Sequence, residues 1–194
     1  PPPLAAMGCS DGFFAIRKTA GKVAWSHTGG AMHNPPNSIR DNKVFFVESR
    51  NPEILKKATG RLHSPNLWKD QFLVALDAYT GKKLWEEPID TADGTVVFYM
   101  LATEHGLVIQ SSTGGKYHLY NHDLKTGKQK WETAFKWPND HHSGHMQHPV
   151  AVNGRLYLEP SAFDLKTGEK VVDQIGKRSG CHTYVGTRDA LIYR

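Results

Sequence analysis

Short apolar runs alternate along the chain with clusters of Gly, Pro, Asp, Asn and Thr. Residues 44–48 (Val-Phe-Phe-Val-Glu), 73–76 (Leu-Val-Ala-Leu), 156–159 (Leu-Tyr-Leu-Glu) and 191–193 (Leu-Ile-Tyr) are examples. Runs this short, rich in β-branched and aromatic residues and bounded by turn formers, predict strands and argue against a helical bundle. The longest uninterrupted apolar run, residues 96–102, falls well short of the roughly 20 residues of a membrane-spanning helix. The pattern predicts an all-β chain.

Superimposed on that alternation is a longer period. Residues 75–85 have the form A-x-D-x-x-T-G-x-x-x-W. The frame recurs as Asn121, Asp123, Thr126, Gly127, Trp131, again as Ala162, Asp164, Thr167, Gly168, Val172, and more faintly as Ala15, Arg17, Ala20, Gly21, Trp25. Successive turn glycines, Gly21, Gly81, Gly127 and Gly168, are 60, 46 and 41 residues apart, the period of a propeller blade. An Asp at the head of a turn accepts backbone N–H bonds, and Gly supplies the positive φ of a tight hairpin, so each frame closes two antiparallel strands. These are the outer two of a four-stranded blade. Trp25, Trp85 and Trp131 are expected to fill the space between blades, with the small Ala of the frame leaving room. The long first spacing reflects a polar insertion at residues 51–66.

On these residues the chain resembles the PQQ-like (pyrroloquinoline-quinone-type) β-propeller repeat family, whose docking motif is AxDxxTGxxxW. The resemblance implies a propeller of four-stranded antiparallel blades. Residues 1–194 would form one segment of about four blades, part of a seven- or eight-bladed ring completed by the rest of the chain or by a second copy. The 141–160 stretch and the run Gly180, Cys181, His182, Thr183, Tyr184 are similar to exported propeller proteins of environmental bacteria, which implies a periplasmic or extracellular location. The family's quinone enzymes would require a vicinal disulfide and a calcium site of acidic and amide ligands. The two cysteines, Cys9 and Cys181, are isolated and no such acidic cluster is evident, so PQQ is not expected.

Composition adds less. The formal charge of +5 arises from 24 Lys and Arg against 19 Asp and Glu. Nine lysines (18, 22, 82, 83, 125, 128, 130, 166 and 170) lie in or beside the hairpin turns with acidic residues near them, which favours a solvated rim and no nucleic-acid partner. Two cysteines define neither a disulfide framework nor a zinc motif.

Histidine is the unusual feature, with 11 in 194 residues and four of them, His141, His142, His145 and His148, within eight positions. In a propeller the link from one blade's last strand to the next blade's first strand runs toward the central channel, and residues 137–149 read as such a link. Matching residues 44–48 to 156–159, and 191–193 to 156–158, as successive innermost strands brings His33 level with His145, and Cys181 and His182 level with Met146 and Gln147. His33, His145, His148 and His182 are therefore the candidate metal ligands, with Gln147, Glu159 or water completing a shell for Zn, Cu, Mn or Fe. His141, His142, Gln147, Cys181 and Tyr184 are further candidates, Tyr184 as a partner of a general-base histidine. Two functions remain open. One is a His-lined site, with or without a metal, acting on or binding an extracytoplasmic ligand such as a glycan. The other is a non-catalytic propeller scaffold for protein–protein contacts, similar to the propeller lipoproteins of outer-membrane assembly. The sequence leaves catalysis itself undecided.

Overall fold

The computed structural model describes residues 4–9, 11–56, 65–91, 98–136, 148–175 and 184–192, with backbone only for 4–9 and 34–36. Its strands are β1 (Leu4–Cys9), β2 (Gly12–Arg17), β3 (Val23–Thr28), β4 (Ala31–Arg40), β5 (Lys43–Ser49), β6 (Gln71–Asp77), β7 (Lys83–Ile89), β8 (Phe98–Thr103) and β9 (Gly106–Thr113). They continue as β10 (Lys116–His122), β11 (Gln129–Lys136), β12 (Val150–Val152), β13 (Arg155–Leu158), β14 (Ser161–Asp164), β15 (Lys170–Val172), β16 (Val185–Gly186) and β17 (Leu191–Ile192). One turn of helix, α1 (Pro52–Leu55), and a 3-10 turn (Pro65–Trp68) lie in the insertion between β5 and β6.

Within each sheet, every strand pairs antiparallel with its neighbour in sequence. Three sheets are complete four-stranded meanders, β4 to β7, β8 to β11 and β12 to β15, alongside the three-stranded β1–β3 and the two-stranded β16–β17. This is a β-propeller segment of about four blades. It comprises two compact units, residues 1–91 with 125–128, and residues 92–124 with 129–194.

The repeat frame lies where the pattern placed it, on the third and fourth strands of each meander. At the turns the frame's Asp acts as expected. The Asp77 carboxylate accepts from Tyr79 N, Thr80 N and Thr80 Oγ1, and Asp164 does the same for Lys166 and Thr167. Beside each turn the ladder slips by one residue at a bulge, between Ala75 and Leu76, Asn121 and His122, and Ala162 and Phe163. The bulge aims the tryptophan out of its own sheet. Trp25 lies against Gly81, Trp85 against Gly127 and Trp131 against Gly168, so closely that a Cβ on any of these glycines would lie 2.6–2.7 Å from ring carbons. The same glycines have φ of +73°, +78° and +77°, so both backbone and contact demand glycine there. The indoles of Trp25 and Trp131 also donate to the carbonyls of Ala78 and Leu165 at 3.1 Å.

Three strand assignments differ from the sequence expectation. Residues 44–48 and 156–158 lie on β5 and β13, the second strands of their sheets and not the innermost. The leading strands β4 and β12 have weaker apolar patterns, Asn34-Pro35-Pro36 interrupting one and only three residues forming the other. Likewise residues 191–192 form the second strand of their sheet, after β16.

Candidate functional site

His33 lies within β4 itself. It is 5% exposed, and both of its ring nitrogens are engaged. The orientation can be derived from its neighbours. Thr91 donates to Gln71 Oε1 through its backbone N–H at 3.1 Å and its hydroxyl at 2.9 Å, which fixes that atom as the oxygen of the amide. Gln71 Nε2 must then be the donor to His33 Nε2, 3.3 Å away, and the His33 lone pair on that nitrogen is occupied. The other ring nitrogen carries the proton and donates to the Leu67 carbonyl. Trp68 packs on the ring with centroids 4.7 Å apart. The imidazole is a neutral tie between β4, β6, the segment after β7 and the 3-10 turn of the insertion.

Burial pushes the His33 pKa down from 6.5 to about 4, outweighing the opposing Leu67 bond. Because the folded value lies below the unfolded one, the unfolded chain takes up this proton first as pH falls. The associated stability is complete above pH 6.5, declines between 6.5 and 4, and is gone below that, a loss of about 3 kcal/mol. Urea unfolding at pH 7.5 and pH 4 should show this loss in the native chain and not in His33→Gln. Parallel pH dependence in the two proteins would contradict the assignment.

His148 has a different setting. It is exposed on one side and its ring lies 3.9 Å, centroid to centroid, from that of Tyr99 on β8. Partial burial lowers the His148 pKa and raises that of Tyr99, so both are neutral near pH 7. Tyr184 is buried, at 4% exposure. His141, His142, His145, Gln147, Cys181 and His182 lie outside the described residues. Among the described residues, no three His, Cys, Asp or Glu side chains gather in a way that would hold a metal ion. His105 lies in the β8–β9 turn, and His118 and His122 lie on β10.

A charged network that sequence reasoning missed runs from the buried Glu48 out to the surface of the first unit. Glu48, 1% exposed on β5, accepts from His27 Nε2 on β3 at 2.9 Å and from Arg50 Nε at 2.8 Å. Arg50 Nη2 reaches Glu86 Oε2 at 2.6 Å on β7, and its guanidinium lies 4.0 Å above the Phe72 ring. Lys83 adds a second bond to Glu86 at 2.8 Å, and the two cations hold the Glu86 pKa down at about 2, Arg50 contributing most. Gly30 leaves the space Glu48 needs, since a Cβ there would overlap the Glu48 carboxyl group. The available signal was the acidic residue near the end of the apolar run of β5.

Residues 69–174 match the family model described as outer membrane protein assembly factor BamB. No curated protein matches the chain. Among solved structures it is similar to BamB from Moraxella catarrhalis, at 16% identity over 93% of this chain and 52% of that one, with a TM-score of 0.55. It is also similar to the rhamnogalacturonan lyase YesW, at 14% identity over 86% of this chain and 36% of that one, TM-score 0.52. A europium-containing methanol dehydrogenase matches at 17% identity over 68% of this chain and 22% of that one, TM-score 0.45. The chain thus spans about half the length of the BamB structure, and at these identities the likeness to solved structures is one of fold. With the family model covering more than half of its residues, the chain belongs to the PQQ-like repeat family of the outer membrane protein assembly factor BamB.

Proposed function

We propose that this chain is a non-catalytic propeller scaffold that docks an extended segment of a partner protein outside the cytoplasm, in a ring completed by further blades. The supporting observation is strand β11. It is the last strand of its sheet, eight residues long and free of proline, and among the described residues nothing pairs with its outer edge. Edge strands of that length are templates for strand addition unless they are blunted. The corresponding strand β7 is interrupted by Pro88, which cannot donate to an added strand, whereas the charges on β11 (Lys130, Glu132 and Lys136) leave all its backbone N–H groups in place. The family's description as an assembly factor for other proteins agrees with such a role.

Site-specific photocrosslinking in cells producing the full-length protein tests this reading. A photoreactive residue at exposed Ala134 on β11 is expected to give a discrete protein adduct, and one at exposed Pro65 in the insertion is not. Absence of any adduct at Ala134 would reject the scaffold.

The His148–Tyr99 pair favours a second reading, a His-lined site for a glycan or a transition metal. A neutral imidazole beside an aromatic ring is a competent ligand or hydrogen-bond acceptor at pH 7. Elemental mass spectrometry of the native protein and of His148→Ala separates the two readings. Near-stoichiometric metal lost in the variant favours the second, and no metal in either favours the scaffold.

A further inference from the structure

Exposed apolar side chains are not spread evenly over the first unit. Of its five large ones among the described residues, Val23, Ile39, Tyr79 and Leu84 all lie in or beside the turns at residues 17–22, 40–43 and 77–82, and only Leu55 lies elsewhere, on α1. These turns are at one end of the sheets. The turn at 40–43 is tied to the one at 77–82 by Ala78 N–H donating to the Asn42 carbonyl at 2.8 Å. Trp25 on Gly81 and Trp85 on Gly127 set the hairpin turns side by side, at the roughly 10 Å separation of packed sheets.

The same end is basic. A lysine follows the turn glycine in three successive frames, Lys22, Lys82 and Lys128, all exposed, with Arg17, Lys18 and Lys125 exposed alongside. The acidic residues at these turns, Asp41, Asp77 and Asp123, are fewer than the cations. Asp77 is turned into its own turn and lies across the ladder from Lys43, Asp41 pairs with Arg40 at 3.7 Å, Glu86 is held by Arg50 and Lys83, and Glu87 packs beside Gly127. The second unit, considered by itself, repeats the coincidence. Val171 stands beside Lys170, near the turn that holds Lys166, and Val185 and Ile192 flank the turn that carries Arg188.

We propose that the turn end of the first unit is a peripheral docking face for a bilayer surface rich in anionic lipid. Lysines close to such a surface each contribute about 1 kcal/mol, and isolated aliphatic and tyrosyl side chains at loop tips partition into the headgroup boundary. Protein interfaces have the opposite composition, with Lys depleted and the apolar residues gathered into a contiguous core. Here three of the four apolar residues, Val23, Ile39 and Leu84, adjoin a cation in the chain, Lys22, Arg40 and Lys83.

The test is co-sedimentation of the full chain with vesicles of phosphatidylcholine alone or mixed with phosphatidylglycerol. Binding is expected only to the mixed vesicles and should fall steeply with added salt. The pair Lys22→Glu and Lys82→Glu should weaken it about thirty-fold or more, from two lysines lost at that value each. Lys56→Glu with Lys69→Glu, an equal charge change in the insertion, should leave it nearly intact. Val23→Ser with Leu84→Ser should lower the part that survives high salt. Circular dichroism confirms that each variant is folded. No binding to anionic vesicles, or equal loss in both charge pairs, would overturn the proposal.

Discussion

Trp25→Ala is expected to destabilise the protein by about 4 kcal/mol and to lower its melting temperature by about 10 °C. The indole is 9% exposed, lies on Gly81, and has Phe13 at 6.2 Å between ring centroids, with Phe46 stacked beyond at 4.8 Å. Truncation removes that packing and leaves a cavity that the neighbouring sheet cannot close, because the glycine facing it has no side chain to offer. It also removes the donor to the Ala78 carbonyl. Trp25→Phe keeps most of the ring and loses chiefly that bond, for about 1 kcal/mol. Urea denaturation of both variants separates the two contributions. If they prove equally unstable, the hydrogen bond dominates and the packing argument fails.

Glu48→Ala should cost roughly 3–5 kcal/mol, the range for breaking a buried ion pair by removing one partner. The low end is expected, because Arg50 keeps Glu86 and is partly exposed. The loss falls on the contact between β3 and β5, since His27 and Glu48 join those strands. A double-mutant cycle of Glu48→Gln with His27→Gln should therefore show coupling. Additive effects would mean that Glu48 acts only within its own sheet. Amide exchange should show β3 opening earlier in Glu48→Ala than in the native chain, while β9 and β10 keep their protection.

The turns and the tryptophans were legible in the sequence because they recur. Asp77, Gly81 and Trp85 each have a counterpart at nearly constant offset, and the chemistry of an Asp-headed hairpin is local. The first strands β4 and β12 were not legible. β12 is three residues long and β4 contains two prolines, so both look like loop when strands are sought by apolar run. The histidines divide in the same way. Their density singles out residues 141–148, whereas the role of His33 depends on Gln71 and Thr91, far along the chain and unremarkable as residues. Nothing local to His33 indicates that an amide occupies its lone pair. The same holds for Glu48, which is tied to His27 on another sheet and, through Arg50, to Glu86 on β7.

The seating of a tryptophan from one frame on the glycine of the next makes the array directional: the second and third repeats each receive a ring and give one, while the first only gives. A repeat carrying both features presents the same ring-on-glycine joint on either side, to which neighbour-specific contacts such as Phe13 on Phe46 and His27 with Glu48 are added. The fourth copy receives Trp131 at Gly168 but carries Val172 where the ring would be. On its onward side the fourth copy therefore offers a small aliphatic side chain where the earlier copies offer an indole, and the joint there is of a different kind, with Val150 lying against Gly186.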